Sequence, residues 1–153
     1  MSNDAPTAAE ITELLAHWWH RYDEGQIEEL RPYLTPDATF RTRTDTGTTD
    51  WEEFVRADFR GRDEIVFWQE KHRQASPHPL RHMTTNVAVE ATAGASADFV
   101  SYLMVTQVVG GSPAPIPGGI LRGTAVRTDD GLALSHFELV LYTQDSIPLQ
   151  DRQ

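Results

Sequence analysis

Between Arg81 and Glu90 the chain reads RHMTTNVAVE, and there its texture changes from helical to extended. Three more runs of the same kind follow: ADFVSYLMVTQVV (97–109), ILRGTAVRT (120–128) and LALSHFELVLYT (132–143). They are rich in β-branched and aromatic residues and bounded by turn formers, which predicts strands. Their separators are ATAGAS, GGSPAPIPGG and DDG, and the Asp130-Gly131 pair is a hairpin signal. The Pro/Gly segment 110–119 reads as a long hairpin loop that covers the mouth of a pocket.

Upstream of this stretch the period is helical. TAAE (7–10) matches a capping box, in which Thr7 and Glu10 satisfy each other's free backbone N–H groups. Ile11, Leu14, Leu15, Trp18 and Tyr22 then form one apolar stripe, and Gly25 ends the helix. A shorter helical piece with Ile27, Leu30 and Leu34 breaks near Pro32 and Pro36, and ATFRTRT (38–44) reads as a short strand. Residues 45–60 read as a packed loop or short helix around Trp51, Phe54, Val55 and Phe59. GRDEIVFWQEKHRQ (61–74) reads as another helix. Helices followed by an antiparallel meander predict an α+β domain, with helices on one face of a curved sheet. No repeat or linker divides it. The expected layout is a loose tail (1–6), one domain (7–145) and a C-terminal tail (146–153).

Composition narrows the function. At 153 residues, 39% of them hydrophobic, with four Trp, six Phe and four Tyr, one sizeable core is expected. A net charge of −10 repels phosphate backbones and anionic lipid, so neither nucleic acid nor membrane is expected as a partner. The absence of cysteine excludes disulfides, thiolate metal sites and cysteine nucleophiles, and fits a cytoplasmic protein. No apolar run approaches the ~20 residues of a membrane span, and the N-terminal stretch lacks a signal-peptide pattern. Serine nucleophile elbow, P-loop and dinucleotide fingerprint are all missing.

What remains for chemistry is a handful of polar residues. Strict alternation puts His82, Thr84, Asn86 and Ala88 on one face of their strand and Met83, Thr85, Val87 and Val89 on the other. The second set is the more apolar, so patterning alone turns His82 outward; a strongly curved sheet with a polar cavity would turn it inward. Asp23 falls on the edge of the first helix's apolar stripe. There it is either solvated or paired, and a carboxylate near a helix C-terminus asks for compensation. A histidine would supply it, and Asp23 would then fix that ring's tautomer while the other nitrogen moves a proton. His17 and His20 are one turn apart, but no carboxylate at ligand spacing accompanies them, so no metal is expected. His72 and His78 read as exposed. Arg122, Ser101 and Tyr102 fall on strands whose orientation is open.

RYDEGQIEELRPYLTPDATF, GRDEIVFW and RHMTTNV together resemble the SnoaL-like branch of the nuclear-transport-factor-2-like superfamily. That branch includes scytalone dehydratase and bile-acid 7α-dehydratase, and is similar to small polyketide cyclases and dioxygenase β subunits. The resemblance spans roughly residues 9–143 and implies a cone in which N-terminal helices close over a highly curved antiparallel sheet and enclose a pocket. It implies Asp23 and His82 as an acid/base dyad, with Tyr22 helping to hold substrate. Two departures stand out. Trp18 occupies a position where bile-acid dehydratases carry a tyrosine. The last strand, GLALSHFELV, brings His136, which is either structural or a second pocket histidine.

The expected function is that of a cofactor-independent small-molecule enzyme, a dehydratase or a related isomerase or cyclase. His82 and Asp23 would be catalytic; Tyr22, Trp18, Asn86 and His136 would bind substrate. On the resemblance, the substrate would be a neutral polycyclic or polyketide-like compound. A non-catalytic β-type partner subunit and a ligand-binding module are the alternatives. Val87, Val89 and Leu139, taken as outward-facing, predict a homodimer or homotrimer formed sheet to sheet.

Overall fold

The computed structural model describes residues 4–152. Helix α1 (Ala8–Asp23) opens on the expected capping box: Thr7 Oγ1 accepts from the Glu10 N–H at 3.3 Å, and the Thr7 N–H donates to Glu10 Oε2 at 2.8 Å. Every residue of the predicted stripe is buried, and so are Trp19 and Asp23 beside it. The helix stops where Gly25, at φ +73°, turns the chain. A 3₁₀ helix (Ile27–Tyr33) leads into strand β1 (Leu34–Thr44). The short α2 (Glu52–Val55), β2 (Ala57–Arg60) and α3 (Arg62–Ala75) follow, and then four long strands: β3 (Leu80–Ala93), β4 (Ser96–Val109), β5 (Ser112–Thr128) and β6 (Gly131–Leu141).

The sheet has six strands in the order β2-β1-β6-β5-β4-β3 and curls without closing into a barrel. All neighbours are antiparallel except β1 and β6, which run parallel. The sequence reading thus missed one strand, β2, and began β1 too late. Leu34 begins β1 rather than extending a helical piece, and Pro36 does not interrupt the strand. It lies in the gap of the register between Leu34 and Thr39, where no ladder N–H is asked of it. Residues 57–60, inside the stretch read as loop or helix, form the edge strand β2.

Segment 110–119 is also corrected. Only Gly110 and Gly111 turn; Ser112 onward is strand, paired to β4 from Val109↔Ser112 to Val105↔Ile116. Antiparallel residues alternate their N–H groups between the two neighbours. Pro113, Pro115 and Pro117 share one parity, so their missing donors all fall on the side where β6 has not yet joined; its pairing starts at Gly119. Irregularities in the β3–β4, β4–β5 and β5–β6 registers bend the sheet around α1 and α3.

The bulge in β3 falls at Asn86, whose φ of +56° lies in the left-handed region, between the Thr85 and Ala88 pairings. It resets the alternation. His82 and Thr84 before it, and Val87 and Val89 after it, lie on the inner side, while Met83 and Thr85 face out. Val87 and Val89 therefore pack against the core instead of facing a partner, and Leu139 is buried. The exposed apolar residues of the outer face include Met83, Tyr102 and Met104. Of the expected N-terminal tail, residues 1–3 lie outside the described residues. Residues 4–6 are docked, with the Asp4 carbonyl accepting from Arg127 Nε at 3.1 Å and Pro6 buried. Among the described residues no helix is long and apolar enough to cross a membrane.

Candidate active site

The last residue of α1 meets the third residue of β3, an edge strand of the sheet. Asp23 Oδ1 accepts from His82 Nδ1 at 2.6 Å, and Asp23 Oδ2 accepts from the His82 backbone N–H at 2.9 Å. The carboxylate thus grips ring and backbone at once and fixes the ring's rotation. Side-chain exposure is 11% for His82 and 6% for Asp23, so the pair is withdrawn from bulk water. An ionised carboxylate is acceptor-only, so Nδ1 carries the hydrogen and Nε2 holds the lone pair. Nε2 has no protein partner among the described residues, and His82 borders the internal cavity.

A carboxylate at a helix C-terminus faces the negative end of the macrodipole. The buried Arg73 of α3 answers it: Nη2 donates to the Asp23 carbonyl at 2.7 Å, and Nε donates to the Tyr22 and Asp23 carbonyls at 3.1 and 3.2 Å. The guanidinium satisfies the last carbonyls of α1 while leaving the Asp23 carboxylate to His82. Arg73 and Gln69 continue the buried stripe that Ile65 and Val66 begin on α3. That four-residue period was the signal in the sequence for a buried cation.

Two rings complete the surroundings of His82. Trp19 stacks on it at 4.3 Å between centroids with 6° between planes, and Tyr22 meets it edge-on at 5.3 Å and 84°. The two rings hold the imidazole from its face and from its edge. Burial pushes the Tyr22 phenol well above its ordinary range, so it stays a hydrogen-bond donor. The cavity measures about 260 Å³ and is lined mainly by apolar and aromatic side chains, among them Phe40, Trp68 and Phe137. Trp51 and Phe54, from the stretch read as ambiguous, form part of its wall and are themselves partly exposed. Ile116 and Pro117 line it as well, from strand β5 rather than from a loop.

Of the six expected site residues, the fold brings His82, Asp23 and Tyr22 together and leaves three elsewhere. Trp18 is fully buried in the core, its ring 5.4 Å from that of Phe137; Trp19, one residue on, takes the cavity wall. Asn86 is exposed and serves the bulge. His136 lies on the outer side of β6, with Nδ1 2.7 Å from Thr39 Oγ1 and Nε2 3.7 Å from Glu138, while Phe137 and Leu139 point inward. His72, read as exposed, lines the cavity together with Gln69. His17 and His20 are exposed on α1.

Solved structures with the same fold are numerous. A Catenulispora acidiphila protein in complex with S-DNPA is 28% identical, with a TM-score of 0.64 over 87% of this chain and 91% of its own. A candidate scytalone dehydratase from Novosphingobium aromaticivorans has a TM-score of 0.70 at 14% identity, covering 95% of this chain and 94% of its own. The beta subunit of a candidate aromatic-ring-hydroxylating dioxygenase from the same organism has a TM-score of 0.72 at 13% identity, covering 93% of each chain. At such identities the last two show the fold alone. Among curated proteins none matches. The family model of the SnoaL-like domain matches residues 4–138, the span that holds α1, the curled sheet and the dyad, and the chain belongs to that family.

Proposed function

We propose that this protein is an acid–base enzyme that removes water from a neutral fused-ring or polyketide-like carbonyl compound, or isomerises or cyclises one by the same proton transfer. The observation that carries the reading is the Asp23 clamp on His82, which leaves an oriented ring with an unbonded Nε2 bordering a largely apolar cavity. In the dehydration, Nε2 takes the proton from the carbon next to the carbonyl. The Nδ1–H···Oδ1 bond steadies the imidazolium, and the Tyr22 phenol donates to the developing enolate oxygen. The C=C bond then forms as the β C–O bond breaks, and the Nε2 proton passes to the leaving hydroxyl as water. His82 carries every proton, so the scheme asks for no cofactor. Transfer of that proton to another carbon gives the isomerase variant.

A β-type partner subunit shares the fold but gives no reason to bury a carboxylate against a histidine beside a cavity. The test uses 3-hydroxy-1-tetralone, whose loss of water gives 1-naphthol, followed by fluorescence. Wild type is expected to accelerate the reaction, and His82→Ala to lose about 10²–10⁴ of that rate with an unchanged circular dichroism spectrum. Equal rates for the two proteins would remove the reading.

A further inference from the structure

The dyad is built on α1 and β3, yet α3 places a second polar edge on the same cavity. Gln69 and His72 are one helical turn apart, and both line it. Gln69 is only 4% exposed, and its amide makes no hydrogen bond among the described residues. Among the described residues the fully enclosed polar atoms without a partner are Trp18 Nε1, Trp19 Nε1 and Ser101 Oγ. The Gln69 amide is not one of them, so it keeps some exposure, and Gln69 lines the cavity. A buried amide without a partner is costly, so a group in the cavity has to meet it.

His72 is set up as an acceptor. Its Nδ1 lies 3.0 Å from the Phe54 carbonyl, which can only accept, so Nδ1 carries the hydrogen and Nε2 the lone pair. The ring is held between Trp68, at 4.5 Å and 15°, and Phe54, at 4.4 Å and 31°. Burial pushes its pKa down to about 4, opposed by the bond to the Phe54 carbonyl and helped to a lesser extent by the nearby Arg73 guanidinium. At neutral pH it offers a lone pair and no charge. One edge thus presents an amide that donates and an imidazole that accepts. A hydroxyl group satisfies both at once, whereas an ether or a carboxylate does not.

We infer that Gln69 and His72 are specificity-determining residues that read a hydroxyl on a flat aromatic substrate, separately from the proton chemistry at His82. This rests on the reading of the cavity as the substrate site. The neighbouring walls of Trp19, Trp68, Phe40 and Phe137 supply the flat apolar surroundings that such a ring needs. The pair touches the substrate's recognition group and not its reacting carbon.

Equilibrium dialysis of 1,5-dihydroxynaphthalene against 5-methoxy-1-naphthol, which keeps the oxygen assigned to Tyr22 and loses only the second donor, isolates that hydroxyl. Wild type is expected to prefer 1,5-dihydroxynaphthalene by roughly tenfold, the size of one good hydrogen bond. His72→Phe, which keeps the ring stack, and Gln69→Leu should each bring the preference within about twofold, while His82→Ala leaves it intact. Using two variants on one helix guards against a folding defect in either, and thermal melts check both. The inference falls if wild type shows no preference or if both α3 variants keep it. It also falls if only His82→Ala abolishes the preference, since the hydroxyl would then sit on the dyad. No turnover enters the measurement. A failure of His82-dependent dehydration is therefore distinguishable from a failure of the hydroxyl preference.

Discussion

His82 and His136 sit on strands of the same sheet, each with one polar partner on its Nδ1 and a carboxylate in reach, yet they are differently equipped. The carboxylate of His82 comes from another element, the end of α1, and meets the ring at 2.6 Å with both side chains nearly buried. The carboxylate of His136 comes from the same strand two residues on, stands 3.7 Å away, and both side chains are 35% exposed. In the first case water is excluded, and the geometry is set by packing of α1 against β3. In the second the outer face of the sheet is wet, so the attraction is screened. A histidine beside an acid is thus a weak sign by itself; the origin and burial of the acid separate the two.

The sharpest way to break this contrast is kinetic. In the naphthol-forming assay, His82→Ala should lose about 10²–10⁴ in rate, while His136→Ala stays within about twofold of wild type. A large loss at His136 would mean that the outer face takes part. The same contrast should appear in stability. Asp23→Ala leaves two donors on His82 unmet in a nearly buried place and should cost about 3 kcal/mol in urea denaturation. Glu138→Ala should change stability by less than about 0.5 kcal/mol. Asp23→Asn keeps the shape but supplies only one acceptor for two donors. Its rate should fall between those of wild type and His82→Ala.

How far these features could be read from the chain depends on the distance over which each is encoded. The capping box at Thr7 and Glu10, the stripe of α1 and the four long strands are local patterns, and they stand where the sequence put them except that β5 begins earlier, at Ser112. The dyad was legible only because Tyr22-Asp23 and Arg81-His82 resemble a known family; alternation by itself turned His82 outward. The reason lies in one residue. Asn86 at φ +56° shifts the phase of β3, so counting by twos across it assigns the wrong face to either His82 or Val87. The parallel partnership of β1 with β6 joins segments about 100 residues apart, and no local pattern carries it. Trp18 and Trp19 differ by 100° of helix rotation, which decides core against cavity only once the sheet is in place. His72 looked exposed because Phe54 and Trp68, which enclose it, come together only in the fold.

The role of Asn86 gives a milder test. A β-branched residue in the left-handed region is strained, so Asn86→Val should cost about 2 kcal/mol, whereas Asn86→Gly should be nearly neutral. If Asn86→Val also lowers the dehydration rate while Asn86→Gly does not, the bulge is what turns His82 inward. Equal stability of the two variants would show that the backbone there relaxes without strain, and the account of why the two histidines face opposite ways would need another cause.

The smallest effect concerns a third histidine, which shares the cavity with His82 but has a carbonyl in place of a carboxylate. His72 is pushed from its ordinary 6.5 to about 4 in the folded protein, chiefly by burial. Between those values the unfolded chain binds a proton that the folded chain refuses. Stability from this group is therefore fully present above about pH 6.5 and is lost as the pH falls toward 4. The whole shift would amount to about 3 kcal/mol; because the ring is only half-buried and close to water, about 1 kcal/mol is expected. Urea denaturation of wild type and His72→Phe at pH 7 and about pH 4.5 isolates the contribution, since the titrating carboxylates are common to both. Wild type should lose about 1 kcal/mol more than the variant over that interval. Parallel losses would mean that His72 takes up its proton in the folded state. Its Nε2 would then be a donor, and the neutral acceptor on α3 would disappear along with its preference for a hydroxyl.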